Sequence, residues 1–524
     1  MTGPREWVAR FAGLRGPAIP DAPSLSIRDP WPGDPGRGAR LLKGDIDYLG
    51  AARRLVPGNF ADIHASASLL DHVHGFTWLR DLRALGTDAA RGRARALITS
   101  WIECGALPDR AGKPAVVGAR LASWLGHYDF FAASADDVFR QSMMARLVSD
   151  ARLLSAAIPP EARDGSALTA LKGLIAASVA MPDHAAFLAR ALRFLPPEIE
   201  RQVLADGGHI ERSPAAQLQA LQDLTEIRSL LQIGRAEVPA SLPGAIERMA
   251  GALRALRHGD GGLALFNGAR EDWATLIDLV LSQAGRTGRS SHTLPVSGFQ
   301  RLVAGKSVVI VDAGVPAPPG ADRLAHAGTL SFEFSVGRDR VVVNCGAAPA
   351  SAGEWRDVLR TTAAHSTLVI ADVASSELTP TGLGRRPGQV EAQRHEANGA
   401  HWLELSHDGW RVPFGAVHRR RLYLAESGDD LRGEDVIEAD QGQPYTLRFH
   451  LHPSVTVSLQ QDSGSALLRL PSGQGWRFRA DGAALSIEES IYFGGAEPRR
   501  AEQLVLTGGE DDAQQVKWAL TKVG

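Results

Sequence analysis

The sequence predicts an α+β multidomain protein, an all-helical half followed by an all-β half, and three observations predict it. First, 524 residues are too many for one ordinary hydrophobic core. Second, from about Ala61 to about Gln283 the apolar residues recur three or four apart, the period of a helix. Third, from Gly298 onward that period drops to two, the period of a strand. The expected division is a surface arm over residues 1–45, a helical domain over 46–295 and a β-sandwich over 296–524.

The arm is rich in Pro, Gly and Asp, as in Asp29-Pro30-Trp31-Pro32-Gly33-Asp34-Pro35. Such a stretch holds no long helix and is expected to lie as an ordered loop on the surface. Two helix starts stand out beyond it. Ser134 and Asp137 have capping-box-like spacing, and Val138, Met143, Met144, Leu147 and Leu154 follow at roughly helical intervals. Ser213 then caps a helix with proline at its first position, and Leu218, Leu221, Leu224 and Ile227 form its apolar face. Helices joined by short turns close as a bundle, a solenoid or a toroid, and periodicity does not choose among the three. It does exclude a parallel α/β sheet, because strands do not alternate with the helices.

In the β half, Leu330, Phe332, Phe334 and Val336 alternate with polar residues, and a turn at 337–339 leads into a strand over 340–344. Tyr445, Leu447, Phe449 and Leu451 alternate in the same way. Further strands are expected near 306–312, 367–371, 422–425, 466–470 and 503–507. Many short strands with turns between them predict a sandwich.

Composition narrows the function. Lys and Arg number 57 against 59 Asp and Glu, a formal net charge of -2, which argues for neither nucleic acid nor an anionic membrane as partner. Cys104 and Cys345 form no disulfide scaffold and no thiolate metal site. Residues 1–20 show no apolar signal core, and no stretch is long and apolar enough to span a bilayer. The location expected is the cytoplasm, with the periplasm as the alternative.

Histidine beside carboxylate or arginine marks the candidate site. In Asp206-Gly207-Gly208-His209-Ile210-Glu211-Arg212-Ser213-Pro214, two glycines permit a tight turn before a helix N-terminus whose free amides favour anions. The bland alternative is a capping loop with solvated polar groups. His127, in Trp124-Leu125-Gly126-His127-Tyr128-Asp129, is either a base or a satisfied structural residue. His326, Asn344 and His365 lie on segments that neighbouring strands bring together, two imidazoles and an oxygen donor suited to zinc. Arg448, His450 and His452 share one strand face, expected to be solvated.

Four strings carry a resemblance: 207–214 (Gly-Gly-His-Ile-Glu-Arg-Ser-Pro), 326–333 (His-Ala-Gly-Thr-Leu-Ser-Phe-Glu), Asn344-Cys345-Gly346, and 362–367 (Thr-Ala-Ala-His-Ser-Thr). On these the chain resembles the heparinase II/III-like polysaccharide lyases. The resemblance implies an incomplete α/α-toroid followed by an antiparallel β-sandwich, and β-elimination on a uronate-containing polysaccharide. That reaction needs the uronate carboxylate neutralised, a base at C5 and an acid at the leaving oxygen. Carried over, His127, His209 and His326 share the base and neutralising roles. Glu211, Arg212, Trp124 and Arg448 hold substrate, and His326, Asn344 and His365 match a structural zinc site; no other cofactor is required. The family's tyrosine after Ser-Pro is replaced by Ala215 and Ala216, so Tyr128 is the candidate phenol, and Asn344 stands where an aspartate is usual. The expected activity is a carbon–oxygen lyase on an acidic polysaccharide or oligosaccharide. The alternatives are a non-catalytic glycan-binding or assembly protein and a glycoside hydrolase using Glu211 with Asp129 or Glu333.

Overall fold

A computed structural model describes residues 19–161, 163–181, 185–271, 274–285, 291–348, 353, 355–461, 464–495 and 497–523. Apart from two short two-stranded hairpins, at residues 45–54 and 378–383, it contains helices in the N-terminal half and two large antiparallel sheets in the C-terminal half, the order the two sequence periods predict. The chain divides into two compact units, though not at residue 295. One comprises the residues up to Glu161 with Ser166–Glu198 and Glu226–Leu242; the other comprises Ala162–Gly165, Ile199–Thr225 and Pro243–Gly524. Helical segments therefore group with the sheets. No helix among the described residues is long and apolar enough to cross a membrane.

The helical unit packs around aromatic rings. Phe76 meets Trp101 and Trp124 edge-on at 5.5 and 5.1 Å between ring centres, and all three are fully buried. Helices Pro114–Gly126 and Ser166–Ala180 touch backbone to backbone at Gly118 and Gly173. A β-carbon on Gly173 would lie 2.2 Å from the Gly118 carbonyl oxygen, so any side chain there forces the helices apart. Buried Arg120 stacks 4.3 Å over Trp101 and pairs with Asp150 at 2.7 Å.

Two expectations about this half need correction. The described part of the arm is ordered, as expected, but part of it is buried rather than lying on the surface. Ile27 and Trp31 are buried, the Asp29 N–H bonds to the Gly126 carbonyl, and a short helix, Pro35–Leu42, begins with Asp34 capping the amides of Gly36 and Arg37. The helix Asp137–Ala156 is capped by Asp136, whose carboxylate accepts from the Phe139 N–H at 2.8 Å; Ser134 lies outside it. Val138 faces solvent there, while Met143, Met144, Leu147 and Leu154 are buried as the period predicts. The start at Ser213 is as expected, with helix Pro214–Ile233 burying Leu218, Leu221, Leu224 and Ile227.

The second unit is built on two antiparallel sheets. The nine-stranded sheet runs Ala484–Tyr492, Arg499–Gly508, Tyr445–Leu451, Asp339–Val343, Phe332–Val336, Ser307–Asp312, Phe299–Ala304, Thr293–Leu294, with Leu368–Ile370 paired to Tyr445–Leu451. The eight-stranded sheet runs Val390–Ala397, Ala400–Trp410, Ala416–Leu424, Asp430–Glu438, Gln515–Val523, Gly475–Asp481, Ser465–Arg469, Thr456–Leu459. Inward side chains of both sheets form one core that includes Leu302, Phe332, Leu422, Phe449, Trp476 and Trp518. On its other side the nine-stranded sheet is covered by Ala252, Ala255, Leu256 and Phe266, which pack on Phe299, Val308 and Ile310. Every residue of Ser307–Asp312 and Phe332–Val336 is therefore buried, so the alternation legible in the sequence marks two covered faces rather than one wet and one dry.

Candidate functional site

The two units divide the sequence-predicted site. Trp124, His127 and Tyr128 belong to the helical unit; His209, Glu211, Arg212, His326, Asn344, His365 and Arg448 belong to the other.

In the second unit the glycine-rich string forms a tight loop rather than an anion cradle. Gly207 adopts φ 85°, and its β-carbon would lie 2.2 Å from the Arg248 carbonyl oxygen, so glycine is required for conformation and for space. The anion on the neighbouring backbone amides is the chain's own Asp206, whose carboxylate accepts from the N–H groups of Val296 and Ser297 at 2.8 and 2.7 Å. His209 is buried. Its Nε2 meets the Gln202 side-chain oxygen at 2.9 Å, and its Nδ1 accepts from the Glu211 N–H at 3.3 Å. Burial lowers its pKa to about 4, so the ring is neutral at pH 7. Glu211 is half-buried and accepts from the Gly165 N–H, and burial raises its carboxyl pKa. Buried Arg212 donates to the carbonyls of Ser297, Gly298 and Gly314 and to Asp312, and acts as an internal strap instead of a substrate ligand. Gln217, directly after the alanine pair, donates to the carbonyls of Gly207 and Met249.

His326 and His365 do come together, at 3.1 Å between His326 Nδ1 and His365 Nε2. Their outer nitrogens fix the protonation pattern. His365 Nδ1 donates to the Thr361 carbonyl at 2.7 Å, so its Nε2 is the acceptor. His326 Nε2 accepts from the Gly268 N–H at 3.1 Å, so its Nδ1 donates to His365. Both rings are neutral, in line with pKa values that burial drives down, His365 to about 4 and His326 well below the ordinary range. Asn344 lies beside them, its side-chain oxygen accepting from the Ser366 N–H at 3.0 Å. Zinc would need a fourth donor and would have to displace the proton these two rings share. Among the described residues no group of three or more His, Cys, Asp or Glu is placed to hold a metal. This donor set suits a hydrogen-bonded pair better than a metal.

Arg448 and His450 do not form the solvated face expected of them. His450 is buried, with Nε2 donating to the Ala363 carbonyl at 2.9 Å and Nδ1 beside the Ser490 hydroxyl at 2.8 Å, while Arg448 is half-buried. Of the carboxylates considered for hydrolysis, Glu333 is wholly buried, bonded to His258 Nε2 at 2.8 Å and to the Asn344 N–H. Asp129, in the helical unit, accepts from the Ser26 hydroxyl.

In the helical unit, Trp124 is sealed in the aromatic core, so it has no face for a sugar. His127 is buried, its Nδ1 donating to the Ser123 carbonyl at 2.8 Å, and its pKa is lowered by burial to about 4. The sequence reading missed its charged surroundings. Asp29 pairs with Arg80 at 2.7 Å, and Glu226 accepts from the Trp31 indole and lies 3.3 Å from Lys172. Burial would raise the Asp29 carboxyl, but Arg80 and His127 outweigh it and hold it at about 2. The arm thus delivers its own carboxylate and indole to this cluster. The excess of Asp and Trp in an otherwise turn-like stretch was the available signal. Tyr128 is half-buried, and burial raises its phenol pKa.

Comparison with known proteins now bears on this geometry. Residues 286–519 match the family model described as heparinase II/III-like, C-terminal. Over 99% of its length the chain is 34% identical to FtsZ-localized protein C of Caulobacter vibrioides, covering 94% of that protein. The crystal structure of heparinase III superposes with a TM-score of 0.76 at 13% identity, over 98% of this chain and 89% of that one. Heparan sulfate lyase HepC of Pedobacter heparinus, as a mutant, superposes with a TM-score of 0.65 at 16% identity, over 99% and 87%. At such identities the structural matches speak for the fold, a helical toroid-like region with a two-sheet domain. With the family model and the near-full-length relative, they establish that the chain belongs to the heparinase II/III-like family.

Proposed function

We propose that this protein uses a polysaccharide-lyase scaffold to bind an acidic glycan without cleaving it, and that, like its relative, it localises with FtsZ. The observation that carries the first half is the state of the histidines. His127, His209, His326 and His365 are all buried and neutral, and the last three have both ring nitrogens bonded to the protein itself. A general base must reach the proton it removes. The supply of phenols supports the same reading. In the second unit Tyr445 donates to the carbonyls of Gly482 and Ala513, Tyr492 donates to Glu271, and Tyr423 lies on the outer sheet face; Ala215 and Ala216 stand where the family keeps its tyrosine. The second half rests on the relative named for its localisation with FtsZ, which this chain matches almost end to end.

Incubation with a panel of uronate-containing polysaccharides tests this, read by ultraviolet absorbance of unsaturated ends and by calorimetry. Binding with no new absorbance is the expected result; a growing absorbance overturns it. One observation favours a lyase instead, the partly exposed Tyr128 next to His127. If turnover appears and Tyr128→Phe abolishes it, that phenol is the acid.

A further inference from the structure

The outer face of the eight-stranded sheet has no counterpart in the site described above. Its strands show the simple alternation of a sheet with one bare side: in Ala416–Leu424, His418, Arg420 and Leu422 are buried while Arg419 and Arg421 are exposed. Across this bare face runs a groove of about 730 Å³.

The strand register dictates what lines it. One row across five adjacent strands reads Trp402, Tyr423, Arg432, Ala519, Arg479. The next row reads Glu404, Arg421, Glu434, Lys517, Asp481. Neighbouring strands lie about 4.8 Å apart, so each row spans roughly 19 Å. In the first row the two rings meet at 5.0 Å between centres, and Trp402 remains 37% exposed, unusual for so large an apolar side chain. The Arg432 guanidinium stands 5.9 Å from the Tyr423 ring centre. Ala519 leaves a low point between two arginines. Arg479 is exposed and has no carboxylate partner among the described residues. The second row alternates in sign and largely neutralises itself, with Arg421 3.1 Å and Lys517 4.0 Å from Glu434.

We infer that this groove binds a short acidic oligosaccharide, its sugar faces on Trp402 and Tyr423 and a carboxylate at Arg479. The inference rests on the glycan-binding reading above and locates it on a surface unrelated to the histidine sites. Pyranose rings have an apolar C–H face and a rim of hydroxyls. An aromatic floor beside a row of alternating acceptors and donors matches both. The unpaired arginine adds charge complementarity at one end. A peptide is a poorer match, because the strands of this row are paired on both sides and offer no free edge for backbone pairing.

Calorimetry with a hyaluronan tetrasaccharide, and with chitotetraose as a neutral control of equal length, tests the inference on the full chain. The expected result is binding of the hyaluronan fragment, weakened at least tenfold by Trp402→Ala and at least fivefold by Arg479→Ala, and largely retained in Trp402→Phe. Chitotetraose should bind more weakly and be indifferent to Arg479→Ala. Thermal melting confirms that each variant is folded. Hyaluronan binding unchanged by both alanine variants overturns the groove and leaves the glycan-binding reading standing. No binding by the unaltered protein overturns both. Groove-dependent binding accompanied by unsaturated product upholds the groove and overturns the non-cleaving reading. An acidic peptide that competes at equal strength overturns the choice of a glycan.

Discussion

The two sheets of the second unit are both antiparallel and share one core, yet one is covered on both faces at its centre and the other leaves a whole face to solvent. In the nine-stranded sheet the central strands Ser307–Asp312 and Phe332–Val336 are buried throughout, while the edge strand Ala484–Tyr492 is partly exposed. The eight-stranded sheet has one dry and one wet face, and polar groups occur on both. Inside, Asp435 pairs with Arg420 and His418 at 2.7 Å each and accepts from the Trp518 indole at 2.9 Å. Outside, Arg421 and Glu434 form a pair that solvent reaches. The same residue types on the same strands thus do different work. Inside, charge is costly to bury, and removing one partner leaves the other stranded. Outside, it is nearly neutral for stability and available to a ligand.

The comparison is tested most severely at Asp435. Asp435→Asn leaves buried Arg420 without its counter-charge and is expected to cost about 3–5 kcal/mol, measured by chemical denaturation. A loss under about 1 kcal/mol would mean that water reaches the inner cluster and that the two faces are alike in solvation. A milder test uses pH. The buried histidines, with His209 and His365 at about 4, bind protons less readily in the folded chain than in the unfolded one, where about 6.5 is usual. Their stabilisation is therefore fully present above pH 6.5 and is lost as pH falls toward 4. The expected slope is about 1.4 kcal/mol per pH unit for each such histidine. A flat denaturation midpoint between pH 7 and 5 would show these rings to be solvated and would reopen the case for a catalytic base. The smallest effect belongs to the outer face, where Arg421→Ala should change stability by no more than about 0.5 kcal/mol. A larger loss would make that row part of the frame, unsuited to a ligand.

The glycan groove was only half visible in the sequence. Arg419, Arg420 and Arg421 are chemically identical, so the exposed–buried alternation of Ala416–Leu424 is not legible in the sequence, and the expected strand covered only 422–425. The register that aligns Trp402, Tyr423, Arg432 and Arg479 joins strands distant in the chain, and alternation within one strand does not contain it. Trp124 fails as a sugar platform for a related reason. Aromatics at the end of an apolar helix look the same whether Phe76 and Trp101 close over them or not.

By itself the sequence determined what depends on near neighbours. The change of period from helix to strand separates the two halves. Ser213 and Pro214 start a helix where the backbone amides need a cap, and Gly207 turns a loop at a positive φ. The four short strings were enough to reveal the family. Tertiary structure decided what depends on distant partners. His326 has the residue type of a base or a metal ligand, and its sequence neighbours do not contradict either role. Its actual state is set by Gly268, 58 residues away, and His365, 39 residues away, which occupy both ring nitrogens and exclude water. Protonation follows burial and hydrogen bonding, and both are properties of the packed chain, fixed only when segments far apart in sequence close around a side chain.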